Sequence, residues 1–474
     1  MPTHEAGWAH AEGALRPPGW LRTPDDPNAL VPGLWSATAH KADGELVVGG
    51  VSVPDLVADV NTPAYVLDET DFRSRARAFR QAFAAYDVFY AGKAFLCTTV
   101  ARWVAEEGLC LDVCSDGELT VALRAGFDPA RIGYHGNTKT EPELRRAVAV
   151  GVGRIIVDSF DEIERLGRVT TSLLSAGSVV GATRVMVRVT AGVEAHTHEY
   201  IATAHEDQKF GFSITSGDAL EAVRRVVAQP ALELLGLHSH IGSQIFDTSG
   251  FEVAARRVLA LHAQVGTEIG VTMPELDLGG GFGIAYTTQD DPSDPAQLAV
   301  EMTKIVEHEC HALDVAVPRL SVEPGRAIVG PAMCTVYTVG TVKRVELDKG
   351  AMRTYVSVDG GMSDNIRTAL YDADYSCTLA SRGSDAPPVL SRVVGKHCEA
   401  GDVVVKDEFL PGDVRPGDLL AVPATGAYCR SMASNYNHAL RPPVVAVRDG
   451  LATTLVRRET VDDLLATDLG AHSA

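Results

Sequence analysis

Between residues 88 and 326 the chain carries eight short apolar runs, each ending in a polar or glycine-rich corner. They are VFYAGKA (Val88–Ala94), LCLDVCS (Leu109–Ser115), RIGYHGN (Arg131–Asn137), RIIVDS (Arg154–Ser159), RVMVRV (Arg184–Val189), LLGLHSH (Leu234–His240), ELDLGGG (Glu275–Gly281) and RLSVEPGR (Arg319–Arg326). Stretches with helical spacing of apolar positions separate them, among them Thr98–Glu107, Asp116–Ala125, Glu141–Val150 and Asp218–Ala228. Continuous apolar strands alternating with amphipathic helices predict a parallel sheet covered by helices, and eight such units predict closure into a (β/α)8 barrel. In that architecture chemistry gathers at the C-terminal ends of the strands. Those ends present Lys93, Asp112, His135, Asp158, Arg188, His240, the Gly279–Gly281 turn and Glu323.

The rhythm changes after Arg326. Strand-like runs follow one another with only turns between them, at Thr335–Val345, Tyr355–Asp359, Val389–Val394, Asp402–Val405, Leu419–Val422, Val444–Val447 and Thr453–Leu455. Glu45–Val53 and Ala64–Asp68 are expected to join this all-β segment, and Thr70–Tyr86 to form a helix entering the barrel. The expected organisation is a loosely ordered arm over 1–35, strands belonging to the β domain over 36–68, an α/β barrel over 69–326 and a C-terminal all-β domain over 327–474.

Composition narrows the function. The net charge of −20, with no basic run, disfavours nucleic acid and anionic membrane and leaves a small molecule as the expected ligand. No apolar stretch reaches membrane-spanning length and the N-terminus has no signal-like apolar run, so a cytoplasmic location is expected. Eight scattered cysteines without a CxxC pair argue against a disulfide framework or a zinc ribbon.

Lys93 ends the first run between small residues, where a partly desolvated amine has a lowered pKa and can form a Schiff base; an ordinary surface lysine is the plainer reading. The turn DLGGGFG offers backbone N–H groups to a phosphate, although such turns also serve purely geometric needs. HSHIGSQ adds an imidazole, a hydroxyl and further N–H groups. Glu323 suits the nitrogen of a heteroaromatic ring, where a carboxylate keeps that nitrogen protonated, and an ion pair with Arg326 is the alternative. A lysine, a phosphate cup and a carboxylate together are most simply accounted for by pyridoxal 5'-phosphate.

The motifs YAGKAF, HSHIGSQ, LGGGFG, EPGR, DGGMSDNIRTALY, GKHCEAGD and GAYC, in this order across roughly residues 45–465, resemble the barrel-fold pyridoxal-phosphate decarboxylases, the diaminopimelate decarboxylases most closely. The resemblance implies an alanine-racemase-like barrel with a C-terminal β domain, a homodimer with shared active sites, and decarboxylation of meso-2,6-diaminopimelate to L-lysine, the last step of lysine biosynthesis. It makes Lys93 the lysine that carries the cofactor, His240 the ring stacked on it and Glu323 the partner of its nitrogen, with Ser243, Gly280, Gly281 and Arg326 around its phosphate. It assigns Arg326, Arg367, Tyr371, Glu399 and Tyr428 to substrate, places Tyr428 also near the cofactor, and makes Cys398 a proton donor supplied by the other subunit. The same resemblance implies that Asp112 and His135 contact or frame the cofactor. The cluster of His196, His198 and His205 matches no zinc spacing and takes a structural or lid role, so no metal is expected. Decarboxylases of arginine, ornithine or carboxynorspermidine and alanine racemase share the barrel and its lysine; Glu399, Arg367 and Tyr371 favour a substrate with a charged, carboxylated far end. A catalytically silent relative would be expected to lack Lys93 or Cys398, and both are present.

Overall fold

Each of the eight apolar runs forms a parallel strand: Asp87–Ala91, Cys110–Val113, Ile132–Tyr134, Arg154–Val157, Thr183–Thr190, Leu232–Ser239, Glu275–Asp277 and Arg319–Val322. They pair in sequence order, and the last returns to the first through Ser321 opposite Asp87 and Val322 opposite Val88, so the sheet closes on itself. A two-residue strand, Phe212–Ser213, lies parallel to the fifth. The computed structural model describes residues 17–192, 209–240, 242–246, 248–346 and 352–472. The chain divides into two compact units, a barrel unit of residues 73–284 and 292–328 and a β unit of residues 1–72, 285–291 and 329–474.

Helices leave the strands through polar caps that follow directly from the sequence. Ser115 and Ser159 each accept a backbone N–H from the residue three ahead, at Glu118 and Glu162, opening the helices Asp116–Arg124 and Phe160–Ser175. Thr140 and Glu143 form a reciprocal capping box at the start of Glu141–Val150, which ends on left-handed Gly151. The floor of the barrel is polar. Arg154 lies over Phe89, with its guanidinium carbon 3.8 Å from the ring centroid, and donates to Ser321 and to Asp277, while Ser321 also donates to Asp277 at 2.9 Å. One buried ion pair thereby ties the first, fourth, seventh and eighth strands together beneath the mouth.

In the β unit the long strand Met333–Glu346 is the organiser. Its first half pairs with Ala64–Asp68 and Leu419–Val422, and its second half with Met352–Val358, the change of partner falling at an irregularity around Gly340. Val403–Pro411 and Pro388–Val394 extend one end of the sheet, and Val444–Arg448 with Leu451–Val456 the other. Ala64–Asp68 joins this sheet as expected, but Glu45–Val48 and Val51–Ser52 form a separate small sheet with His40–Ala42. The left-handed Gly49 and Gly50 turn this hairpin, and a Cβ on Gly49 would stand 2.8 Å from the backbone of Val447. The expected loose arm ends earlier than residue 35, because Leu34 and Trp35 are buried with Leu46, Val48, Val336 and Val447 in one apolar core. No helix among the described residues is long and apolar enough to cross a membrane.

Candidate active site

Lys93 sits in a single 3-10 turn, Gly92–Ala94, at the end of the first strand; its neighbours are buried and its own side chain is exposed. Gly92 and Gly325 make room for that turn. A Cβ on Gly92 would lie 2.8 Å from the carbonyl of Asp112, and one on Gly325 2.8 Å from the side chain of Ala91. Asp112 is accommodated in the same way, since a Cβ on Gly133 of the neighbouring strand would meet its carboxylate at 2.6 Å.

Glu323 ends the eighth strand and is 8 % exposed. Its Oε1 accepts from His238 Nε2 at 3.1 Å and lies 3.2 Å from His135 Nε2. His135 Nε2 is also 3.1 Å from Asp112 Oδ1, and the two imidazoles meet edge to face with centroids 5.1 Å apart. Charge sets the protonation states here. Burial opposes a proton on His135, but Glu323 and Asp112 outweigh it and push its pKa up to about 9. Burial alone would raise Glu323; the two imidazoles reverse this and hold it well below the usual carboxylate range. Asp112 is pushed up to about 7, first by burial and then by Glu323. His238 is lowered by burial, with Glu323 opposing. A proton-bearing His135 between two carboxylates, beside a neutral His238, is the consistent arrangement.

Beside this cluster, where Gly279 accepts the Glu323 N–H at 2.9 Å, the chain makes a tight glycine turn. Cβ atoms on Gly279, Gly280 and Gly281 would stand 2.5, 2.4 and 2.6 Å from the backbone carbonyls of Ser239, Glu323 and Gly242, so no larger residue fits at the three positions. The Gly280 N–H donates to His240 Nδ1 at 3.1 Å, and Arg326 donates to Ser243 Oγ at 2.9 Å. Burial, helped by nearby Lys93, keeps His240 well below its usual pKa, as a neutral ring. Asp158 accepts the Gly211 N–H at 2.7 Å and pairs loosely with Arg188, whose guanidinium covers Phe210 at 4.5 Å.

The remaining candidates belong to the β unit. Arg367, 4 % exposed, opens the short helix Arg367–Tyr371, donates to Tyr375 Oη at 2.5 Å and lies 4.5 Å over the ring of Tyr286. Tyr371 is half-buried at the end of the same helix, one turn along. Tyr428 holds a left-handed φ of 63°, uncommon for a residue with a side chain and typical of constrained functional loops. Cys398 and Glu399 are exposed on a loop whose base is fixed by Asp402, which accepts the backbone N–H groups of Met362 and His397.

Residues 69–330 match the family described as "Pyridoxal-dependent decarboxylase, pyridoxal binding domain". The chain is 55 % identical over 446 residues to the diaminopimelate decarboxylase of Mycobacterium tuberculosis, covering 93 % of this chain and 98 % of that one. It belongs to the diaminopimelate decarboxylase family. A more distant family member, from Staphylococcus aureus, is 42 % identical over 90 % of this chain and 99 % of its own. The solved diaminopimelate decarboxylase of M. jannaschii in complex with L-lysine superposes with a TM-score of 0.84 at 28 % identity, covering 92 % of this chain and 98 % of that one.

The barrel residues of this family member fit pyridoxal phosphate on two observations. Both imidazoles act on Oε1 of Glu323, and among the described residues no hydrogen bond or ion pair reaches Oε2, which is the acceptor a ring N–H requires. The glycine turn next to Ser243 and Arg326 has the open backbone and the cation that a phosphate requires. Of the residues singled out in sequence, Asp112, His135 and Glu323 come together in one cluster, and Ser243 and Arg326 with His240, Gly280 and Gly281 in the turn region. Arg367, Tyr371, Cys398, Glu399 and Tyr428 lie in the other unit. His196, His198 and His205 lie outside the described residues. His238, Asp277, Arg154 and Tyr375 were missed. The period-two spacing of His238 and His240 was the available signal, since residues two apart on a strand share a face. His135, His238 and Glu323 also place three possible metal-ligand atoms within 4.8 Å, but the hydrogen-bond spacing of both rings to one oxygen accounts for them without an ion.

Proposed function

We propose that this chain decarboxylates meso-2,6-diaminopimelate to L-lysine and carbon dioxide with pyridoxal 5'-phosphate at the barrel mouth, as the last step of lysine biosynthesis in the cytoplasm. The observation that carries the choice of substrate is Arg367, a buried guanidinium steadied by tyrosines that makes no ion pair among the described residues. Such a cation suits the distal carboxylate of diaminopimelate, which ornithine and arginine lack.

When bound, pyridoxal phosphate supplies an electron sink for the pair left behind as carbon dioxide departs. The chain's own residues do the rest. Lys93 would contribute the amine that holds the cofactor. Glu323, kept anionic, holds a proton on the ring nitrogen, and neutral His240 covers the ring. Ser243, Gly280, Gly281 and Arg326 hold the phosphate. Arg367 and Glu399 read the distal carboxylate and ammonium, with Arg326, Tyr371 and Tyr428 framing the substrate. Cys398 delivers a proton to the former α-carbon. The exposure of Cys398 and Glu399 supports their delivery to the active site of a second copy in a homodimer, because both stand on a loop surface that a second copy can reach.

Carbon dioxide release from meso-diaminopimelate, ornithine and arginine by the purified enzyme tests the reading. Diaminopimelate is expected to be turned over by far the fastest; equal or faster release from ornithine or arginine would overturn it.

A further inference from the structure

We propose that Asp112 and His135 are positioning residues that act through Glu323: the His135 imidazolium, braced by the Asp112 carboxylate, keeps Glu323 anionic and anchors its Oε1, so that Oε2 is presented to the cofactor's ring nitrogen. This rests on Glu323 being the partner of that nitrogen. Geometry carries it. His135 Nε2 has one N–H and stands 3.1 Å from Asp112 and 3.2 Å from Glu323, so it serves two carboxylates at once and gives neither a linear bond. Both Asp112 oxygens are buried without a conventional hydrogen bond, so charge rather than bond geometry holds that carboxylate beside His135. Gly133 leaves space for the Asp112 carboxylate and for nothing larger than a hydrogen at its own position.

The charged and titratable groups around the cluster come from every neighbouring element. They are Asp112 on the second strand, Cys114 just after it, Glu118 on the following helix, Lys93 after the first, Arg154 on the fourth, Arg188 on the fifth, His238 and His240 on and after the sixth, Asp277 on the seventh and Glu323 after the eighth. Arg154 and Asp277 offset each other in the floor of the barrel. His135 is then the cation nearest to Glu323, consistent with its holding a proton up to about pH 9.

The test follows the visible absorption of the bound cofactor from pH 6 to pH 10, and cofactor retention on dialysis, in wild type, H135Q, D112N and E323Q, with circular dichroism to confirm folding. H135Q keeps a donor but removes the charge. It is expected to lose pyridoxal phosphate about tenfold more readily, the effect of one pKa unit on Glu323, and to lose the wild-type spectral transition near pH 9. D112N, nearly isosteric, is expected to move the wild-type transition to lower pH. A purely structural role would change stability and leave the pH dependence in place. If E323Q alters spectrum and retention while H135Q and D112N titrate like wild type, the inference fails and the reading of Glu323 stands; if E323Q changes neither, that reading fails. Should H135Q and D112N not fold, the wild-type titration decides: a transition centred below pH 7, or metal analysis finding stoichiometric ion with the holoenzyme, would overturn the proposal.

Discussion

Two buried charges, one in each unit, are held in opposite ways. Glu323 in the barrel is surrounded by groups that carry or share protons: two imidazoles on one oxygen and a second carboxylate behind them. Arg367 in the β unit is surrounded by aromatic faces and a hydroxyl, with Tyr286 and Tyr375 meeting edge to face at 5.1 Å around it. A buried charge fixed by counter-charges is largely neutralised inside the protein and accepts one more partner of defined protonation. A buried charge fixed by π faces and a neutral hydroxyl is oriented without being neutralised, so its full attraction is left for a ligand. The first device suits an acceptor for a ring N–H, the second a reader of carboxylates.

The barrel side gives way most completely at the lysine. Lys93→Ala is expected to cut turnover by on the order of 10³-fold, the scale seen when a group that bonds or transfers protons is removed. The fold should survive, because an exposed side chain at a strand end contributes little packing. Borohydride reduction of wild type followed by peptide mapping should leave the pyridoxyl group on Lys93; label on another lysine would remove the assignment.

Next in size is an effect that depends on both units. Lys93→Ala and Cys398→Ala should each be nearly inactive alone. Unfolded together in equal amounts and reassembled at random, about half the dimers are mixed, and each mixed dimer carries one native site if sites are shared, restoring roughly a quarter of wild-type activity. Activity no greater than the sum of the two separate mutants, in a sample shown to contain mixed dimers, would place both residues in one chain's site.

How much of this was visible in sequence differs between the two charges. The eight strands and their polar ends were legible because apolar runs and helical spacing are local signals, and Lys93, Asp112, His135 and Glu323 all fall where the barrel rule puts them. The devices that hold the charges were not. Arg154 and Asp277 are 123 residues apart and meet only because the fourth and seventh strands face each other across the interior. His238 reads as one more residue of an apolar strand until Glu323 is brought beside it. Tyr375 lies in a segment with no motif, and only its contact with Arg367 gives it a role. Glu45–Val53 was legible as strand, but its place in a separate small sheet and the burial of Leu34 and Trp35 were not, since what covers them is the distant Val336 and Val447.

On the β side, Arg367→Lys keeps the charge but loses the planar fork. It is expected to lower kcat/KM for diaminopimelate by about 1–3 kcal/mol, while a substrate lacking the distal carboxylate should be nearly indifferent. Equal losses on both substrates would mean that Arg367 does not read that carboxylate.

The smallest effect isolates the aromatic mounting itself. Tyr375→Phe removes the hydroxyl that accepts from Arg367 and keeps the ring, so the guanidinium retains its charge and its place over Tyr286 but is free to rotate. One neutral hydrogen bond to a charged group is at stake, and because the Tyr286 contact remains, the loss in kcat/KM for diaminopimelate should be about 1 kcal/mol. It should appear mainly in KM, since the hydroxyl orients a binding group rather than a reacting one. Combined with Arg367→Lys, the second change should add almost nothing, because a lysine cannot use the same geometry, and a double-mutant cycle would report that as coupling. Additive losses would show instead that Tyr375 acts on substrate or fold independently of Arg367, and the view of Arg367 as a charge oriented by its tyrosines would then have to be given up.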